Sequence, residues 1–274
     1  MNLLFAVDDL GARQMLTTIY SIVENTSLEK EKLIVYVLQK QKLQQTALIE
    51  GLSAKLGFVY RPVLIDEKLF ASAPTTDRYP TTIYYRLLAQ EYLPNDLDKI
   101  LYLDNDLLCI NDLKPLYELD LKDYLYAACS HTRLEMVDVL NNVRLGPESG
   151  ANYYNSGVLL MNLPQIRAEV KAQAIFQYLK ENQNNLFLPD QDILNGLYGQ
   201  KILALPDEYD NYDARKPTIY EAISFGRYDL DWVIKNTRLL HFCGRDKPWK
   251  KAYNGRFAGL YKHYHKKCQD LLGR

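Results

Sequence analysis

A chain of 274 residues, 47% hydrophobic and 24% charged, is long enough to bury a large core, and its net charge of −1 excludes a nucleic-acid binder with an all-basic surface. No uninterrupted apolar run approaches the ~20 residues that cross a bilayer. Cys109, Cys129, Cys243 and Cys268 are widely spaced with no C-x-x-C pair, which supports neither a disulfide framework nor a structural zinc site and fits a reducing, cytoplasmic setting.

The apolar start of the chain meets Asp8-Asp9 too early for a signal peptide, so residues 3–7 read as a buried strand. Met15, Leu16, Ile19, Ile22 and Val23 then recur at helical spacing. Residues 33–38 form a second strand, followed by a helix through Leu43, Ala47, Leu48 and Leu52, and residues 58–65 a third strand. A helix over 82–92 leads to a fourth strand, 99–103, which ends at Asp104-Asn105-Asp106. Such alternation predicts an α/β fold with a Rossmann-like, mostly parallel central sheet flanked by helices. The second half is less regular: strands at 124–130 and 153–161, a long amphipathic helix over 164–182 and a short one over 191–198. Residues 133–152 read as an excursion of the kind that forms lids or binding loops.

Asp104 and Asp106 are the most informative pair. Residues i and i+2 of a strand project to one side, so both carboxylates face a single cation at the carboxyl end, where open α/β sheets bind ligands. Oxygen donors suit Mg²⁺ or Mn²⁺; a solvated Asp-x-Asp turn is the competing account. Asp8 follows the first strand as Asp104 follows the fourth, and either accepts hydrogen bonds from a nucleoside or caps the next helix. Asp190 and Asp192 open a helix whose dipole stabilises them, while Gln191 offers both donor and acceptor to a hydroxyl-rich ligand. Asn155-Ser156-Gly157 is another polar cluster beside an apolar run. His241 follows Leu239-Leu240 at a strand end, and an imidazole added to two carboxylates shifts preference from Mg²⁺ towards Mn²⁺. Gly244 allows close backbone approach and Lys247 neutralises a phosphate. Arg86, on a largely apolar helix, needs water or an anionic partner.

Taken in order, Phe5-Ala6-Val7-Asp8-Asp9, Thr82-Ile83-Tyr84-Tyr85-Arg86-Leu87, the run from Lys99 to Asp106, Tyr154-Asn155-Ser156-Gly157-Val158, Asp190-Gln191-Asp192-Ile193-Leu194-Asn195 and His241-Phe242-Cys243-Gly244-Arg245-Asp246-Lys247-Pro248-Trp249 resemble the family 8 glycosyltransferases, in particular the bacterial lipopolysaccharide galactosyltransferase branch. The resemblance implies a GT-A fold, with a single catalytic domain over 1–250 split into a nucleotide-binding half (1–110) and a donor/acceptor half (111–250). It implies retaining transfer of galactose or glucose from a UDP-sugar to a glycan, glycolipid or glycoprotein, with Mn²⁺ as cofactor and Mg²⁺ as the alternative. By matching positions, Asp104, Asp106 and His241 bind the metal, and Ala6, Asp8, Asn105, Gly244 and Lys247 the nucleotide. Arg86, Asn155, Ser156, Asp190 and Gln191 surround the donor sugar, with Asp190 and Gln191 the catalytic pair. Departures are Leu10-Gly11 after Asp9 in place of the usual Asn-Tyr, Arg78 for His, and Ser156 for Ala. A sugar-nucleotidyltransferase is the alternative enzyme class, but residues 8–14 lack its Gly-rich basic loop; a silent nucleotide-sugar-binding module is the other.

From Arg245 onward nine Lys or Arg face two acids. Within 251–274, Tyr253, Phe257, Leu260, Tyr261, Tyr264 and Cys268 recur at helical spacing beside Arg256, Lys262, Lys266 and Lys267. A basic aromatic helix of this kind either lies on an anionic membrane or packs on the catalytic domain.

Overall fold

Three apolar runs of the first half are strands buried on both faces, and the edge strand beside them is largely exposed. In the computed structural model, which describes residues 1–27, 29–70, 82–131, 153–182 and 185–274, β1 (Asn2–Ala6), β2 (Ile34–Gln39), β3 (Val59–Leu64) and β4 (Lys99–Leu103) pair in parallel in the order β3-β2-β1-β4. Side chains alternate across this sheet, so Leu3, Phe5, Leu101 and Leu103 enter one core while Leu4, Ile100 and Tyr102 enter the other. The first core is closed by helices Asp9–Asn25 and Thr46–Leu56 through Met15, Leu16, Ile19, Ile49 and Leu52. The second is closed by Leu87, Leu88, Ile166, Ile175, Ile193 and Leu194.

After β5 (Leu107–Cys109) and β6 (Tyr126–Cys129), β7 (Val158–Asn162) inserts antiparallel between β4 and β6, and β8 (Ile202–Leu205) completes the seven-stranded sheet. The reversal at β7 matters for function. Leu103 at the end of β4 pairs with Val158 at the start of β7, so the residues just after one strand and just before the other share a rim. A second sheet orders β5-β10-β9, with β9 (Tyr212–Asp213) and β10 (Leu239–His241). There His241 pairs with Leu107, which sets its side chain beside Asp106.

Three elements differ from the sequence expectation. The strand expected over 153–161 begins only at Val158, because Asn155 N donates to Cys129 O (2.8 Å) and Gly157 N to the Asn155 side-chain Oδ1 (3.0 Å), forming a polar loop. The helix expected over 164–182 is two, Leu163–Glu169 and Ala172–Asn182, broken at buried Val170, whose backbone is extended (φ −84°, ψ 115°). The helix expected over 82–92 is one turn, Thr82–Tyr85, followed by a 3₁₀ stretch, Arg86–Glu91, kinked at Leu88 (φ −124°, ψ 24°). Arg86 through Gln90 are all buried there, so the one-sided pattern of a surface helix does not apply. The excursion over 133–152 and Arg78 lie outside the described residues.

The C-terminal helix, Ala258–Leu272, packs on helix Asp9–Asn25. Tyr261 and Cys268 are buried, the Tyr264 and Tyr20 rings meet edge-on at 6.4 Å, and Asn25 Nδ2 donates to Tyr264 Oη (2.9 Å). Its aromatic face is therefore turned inward, while Lys262, Lys266 and Lys267 remain exposed. Among the described residues, no helix is long and apolar enough to cross a membrane.

Candidate active site

The rim shared by β4 and β7 gathers charge that neither strand could hold alone. Asp104, Asp106 and His241 present ligand atoms that all lie within 4.8 Å of one another. His241 Nε2 is 3.2 Å from Asp106 Oδ1 and 3.9 Å from Asp104 Oδ2. Its other nitrogen, Nδ1, donates to Asn211 Oδ1 (2.9 Å), which fixes the ring orientation and turns Nε2 towards the carboxylates. Lys247 Nζ pairs with Asp106 Oδ2 and donates to Phe242 O (3.0 Å). Burial alone would raise the Asp106 pKa, but His241 and Lys247 overturn that and hold it well below the ordinary carboxylate range. Burial likewise opposes charge on His241, and Cys243 and Asp106 beside it raise it well above the usual imidazole value.

Arg86 joins this cluster to a second one. Its guanidinium lies 3.0 Å from Asp104 Oδ1 and 3.4 Å from Asp190 Oδ2, donates to Ser156 O (2.9 Å), and stacks 4.5 Å above the Tyr102 ring. The anionic partner that its apolar surroundings demanded is thus a pair of carboxylates rather than a surface ion pair. Ser156 Oγ donates to Asp190 Oδ2 (2.9 Å), and Gln191 Oε1 accepts from Asn155 Nδ2 (3.2 Å) and Ser156 N (3.3 Å). Desolvation raises the Asp190 pKa against the pull of Arg86. The two acids of helix Pro189–Tyr198 divide their labour: Asp192 Oδ2 accepts from Phe187 N (2.7 Å) and Leu188 N (3.1 Å) at the helix start, whereas Asp190 faces the site.

The proposed nucleotide positions are less tightly joined. Asp8 caps helix Asp9–Asn25, its carboxylate accepting from Gly11 N (2.8 Å), so the capping account describes its observed bond. Asn105 reaches that turn, since a Cβ on Gly11 would lie 2.4 Å from Asn105 Nδ2. Ala6 ends β1 opposite Leu38, and Gly244 adopts φ +82° against Arg215. Tyr154 is buried in the core, and Tyr153 Oη donates to Asp192.

A family model described as glycosyl transferase family 8 matches residues 2–252. The chain belongs to that family. This family 8 chain is 28% identical over 267 residues to the lipopolysaccharide 1,2-glucosyltransferase of Escherichia coli, covering 96% of the chain and 77% of that relative. It is 30% identical over 257 residues to a putative glycosyltransferase of Haemophilus influenzae, covering 92% and 73%. The crystal structure of the galactosyltransferase LgtC with donor and acceptor sugar analogs superposes with a TM-score of 0.79 at 24% identity, covering 97% of this chain and 96% of that one. The expected GT-A fold is therefore the fold observed.

Three residues outside the assigned metal, nucleotide and sugar sets also shape the site of this family 8 chain. Tyr102 Oη donates to Asp104 Oδ1 (2.7 Å), and the two-residue period that paired Asp104 with Asp106 also points to it. Asn211 orients His241 and donates through Nδ2 to Asn155 Oδ1 (3.0 Å); it lies between Asp210 and Tyr212 with no local signal. Gly157 is the third. A Cβ there would sit 2.4 Å from His241 Cε1 and 2.7 Å from Asp104 Oδ2. Gly157→Ala is expected to keep the fold, by circular dichroism, while displacing His241 and weakening Mn²⁺ binding by ~10-fold or more, by titration calorimetry.

Proposed function

We propose that the chain transfers a hexose, galactose or glucose, from a UDP-sugar to a saccharide acceptor with retention of anomeric configuration, using a divalent cation. The observation that carries this reading is the convergence of Asp104, Asp106 and His241 with Lys247 beside them. Asp106 Oδ1 is buried and receives no hydrogen bond, and His241 Nε2 faces it at 3.2 Å. An orphaned carboxylate oxygen and an oriented imidazole fit a divalent ion, and the nitrogen favours Mn²⁺ over Mg²⁺. Asp104, Asp106 and His241 would hold it, and when bound it stabilises negative charge on the departing diphosphate.

The remaining steps belong to the protein. Lys247 would exchange Asp106 for a phosphate oxygen and neutralise the leaving group without proton transfer. Asp8, Asn105, Ala6 and Gly244 are assigned to the nucleotide. Arg86, Asn155, Ser156, Asp190 and Gln191 are assigned to the sugar, which is oxocarbenium-like at the transition state. Asp190 is held behind Arg86 and Ser156, and the Gln191 oxygen is occupied by two N–H groups. Neither is presented as a nucleophile, so front-side attack by the acceptor hydroxyl through a short-lived ion pair is favoured over a covalent intermediate. The name of the E. coli relative supports a lipopolysaccharide-type glycolipid as acceptor, and the exposed lysines of the C-terminal helix are the part left for contact with an anionic membrane. The free cysteines suit the cytoplasmic compartment.

A panel of UDP-sugars with Mn²⁺, read by UDP release, tests the assignment. Release from UDP-galactose or UDP-glucose is expected, and silence across the panel would leave only a binding module. Lys247→Ala is expected to raise KM for the donor about 10- to 100-fold with a smaller change in kcat, as for loss of one hydrogen bond to a charged group. An unchanged KM counts against its place on the diphosphate.

A further inference from the structure

A second cluster of ligating side chains stands beside the first. His131, Asp213 and Cys243 bring one nitrogen, one carboxylate oxygen and one sulfur within 4.8 Å of one another. They come from separate elements: His131 lies just past β6, Asp213 ends β9, and Cys243 follows β10. The His131 and His241 rings are 6.3 Å apart, so the two clusters are neighbours that share no ligand.

Two of the three are each held by a second group in a state suited to ligation, and the third is a free thiol. His131 Nε2–H donates to Asn211 O, so the proton sits on Nε2 and Nδ1 is left as the lone-pair donor. Its backbone adopts φ +50°, a conformation uncommon outside glycine and concentrated at functional sites. Asp213 is fully buried; Arg215 N and Nε donate to Oδ1 (3.0 and 2.9 Å), and Nη2 donates to Oδ2 (2.6 Å). A carboxylate offers about four acceptor sites, so the arginine orients the group and leaves one site on Oδ2. Cys243 is half-buried and not in a disulfide.

We propose that His131, Asp213 and Cys243 form a second divalent-cation site, selective for a thiophilic ion such as Zn²⁺ and separate from the site of Asp104, Asp106 and His241. A sulfur, nitrogen and oxygen donor set selects Zn²⁺, whereas the oxygen-rich neighbour selects Mn²⁺ or Mg²⁺. Three protein ligands leave a fourth, open position for water or a hydroxyl. The ion would also tie the end of β6, in the large sheet, to β9 and β10 in the small one.

Co²⁺ titrated into the reduced full-length chain, without nucleotide, tests this proposal. A thiolate-to-cobalt charge-transfer band is expected in the wild type and equally in Asp106→Ala, and Zn²⁺ should bleach it. Cys243→Ala should abolish the band, and His131→Ala should weaken Co²⁺ binding ~10-fold or more, with folding checked by circular dichroism. Absence of the band in the wild type overturns the proposal. Loss of the band in Asp106→Ala also overturns it, because Cys243 would then belong to the first site. Neither result depends on sugar transfer, so the proposed activity stands or falls separately.

Discussion

Asp106→Ala is expected to lower UDP release and hexose transfer by ~10³-fold or more while the protein stays folded. Asp106 is the one carboxylate that faces both His241 and Lys247, and its buried Oδ1 has no hydrogen-bond donor. Its removal takes away negative charge where a cation is to sit, and frees Lys247 from its present partner. A preorganised charge in a buried site contributes to the transition state without reorganising, which is why a single such group carries so large a factor. The fold should tolerate the loss, since Lys247 is partly exposed and regains water, and His241 keeps its bond to Asn211. Mn²⁺ titration should show affinity lost together with activity, and Asp106→Asn, which keeps the volume, should fail in the same way. Wild-type turnover in either variant would remove the cation from the mechanism.

Arg86→Met is expected to destabilise the chain by about 3–5 kcal/mol, the cost of leaving buried carboxylates without their cation. Arg86 is buried between Asp104 and Asp190. Methionine fills the space over the Tyr102 ring but leaves two acids facing each other. For a chain of this size the loss corresponds to a Tm lower by about 10 °C. Arg86→Lys should not restore it, because one ammonium cannot match a guanidinium that bridges two carboxylates and a carbonyl. Adding Asp190→Asn to Arg86→Met should recover part of the stability without recovering transfer, since one of the unpaired charges is then gone. Calorimetric unfolding reads the first effect and UDP release the second. A Tm unchanged in Arg86→Met would show that the buried ion pairs do not hold this rim together.

Much of the site was legible because it rests on short-range rules. A two-residue period put Asp104 and Asp106 on one side, and an apolar run ending at His241 marked a strand that delivers an imidazole to a rim. The first, second and fourth strands, each dominated by an apolar run, were legible for the same reason. Illegible features depend on partners distant in sequence. Nothing near Val158 announces that β7 runs against its neighbours, yet that reversal brings Ser156 to Arg86 and Gly157 to His241. The break at Val170 and the kink at Leu88 follow from what each residue packs against, which periodicity alone does not report. Arg86 showed its need for an anion, but not that two separate elements, one of them distant in sequence, would supply it.

Asn211 has a consequence beyond orientation. A carboxamide has one accepting end and one donating end, and here the first is committed to His241 and the second to Asn155. The clusters proposed for the cation and for the sugar are thus wired through a polar connector that works in one direction only. An aspartate in its place would lose the grip on Asn155, and a leucine would lose both. On the proposed assignment the two clusters cannot be retuned as interchangeable modules, because a shift in either is passed through a single amide plane to the other.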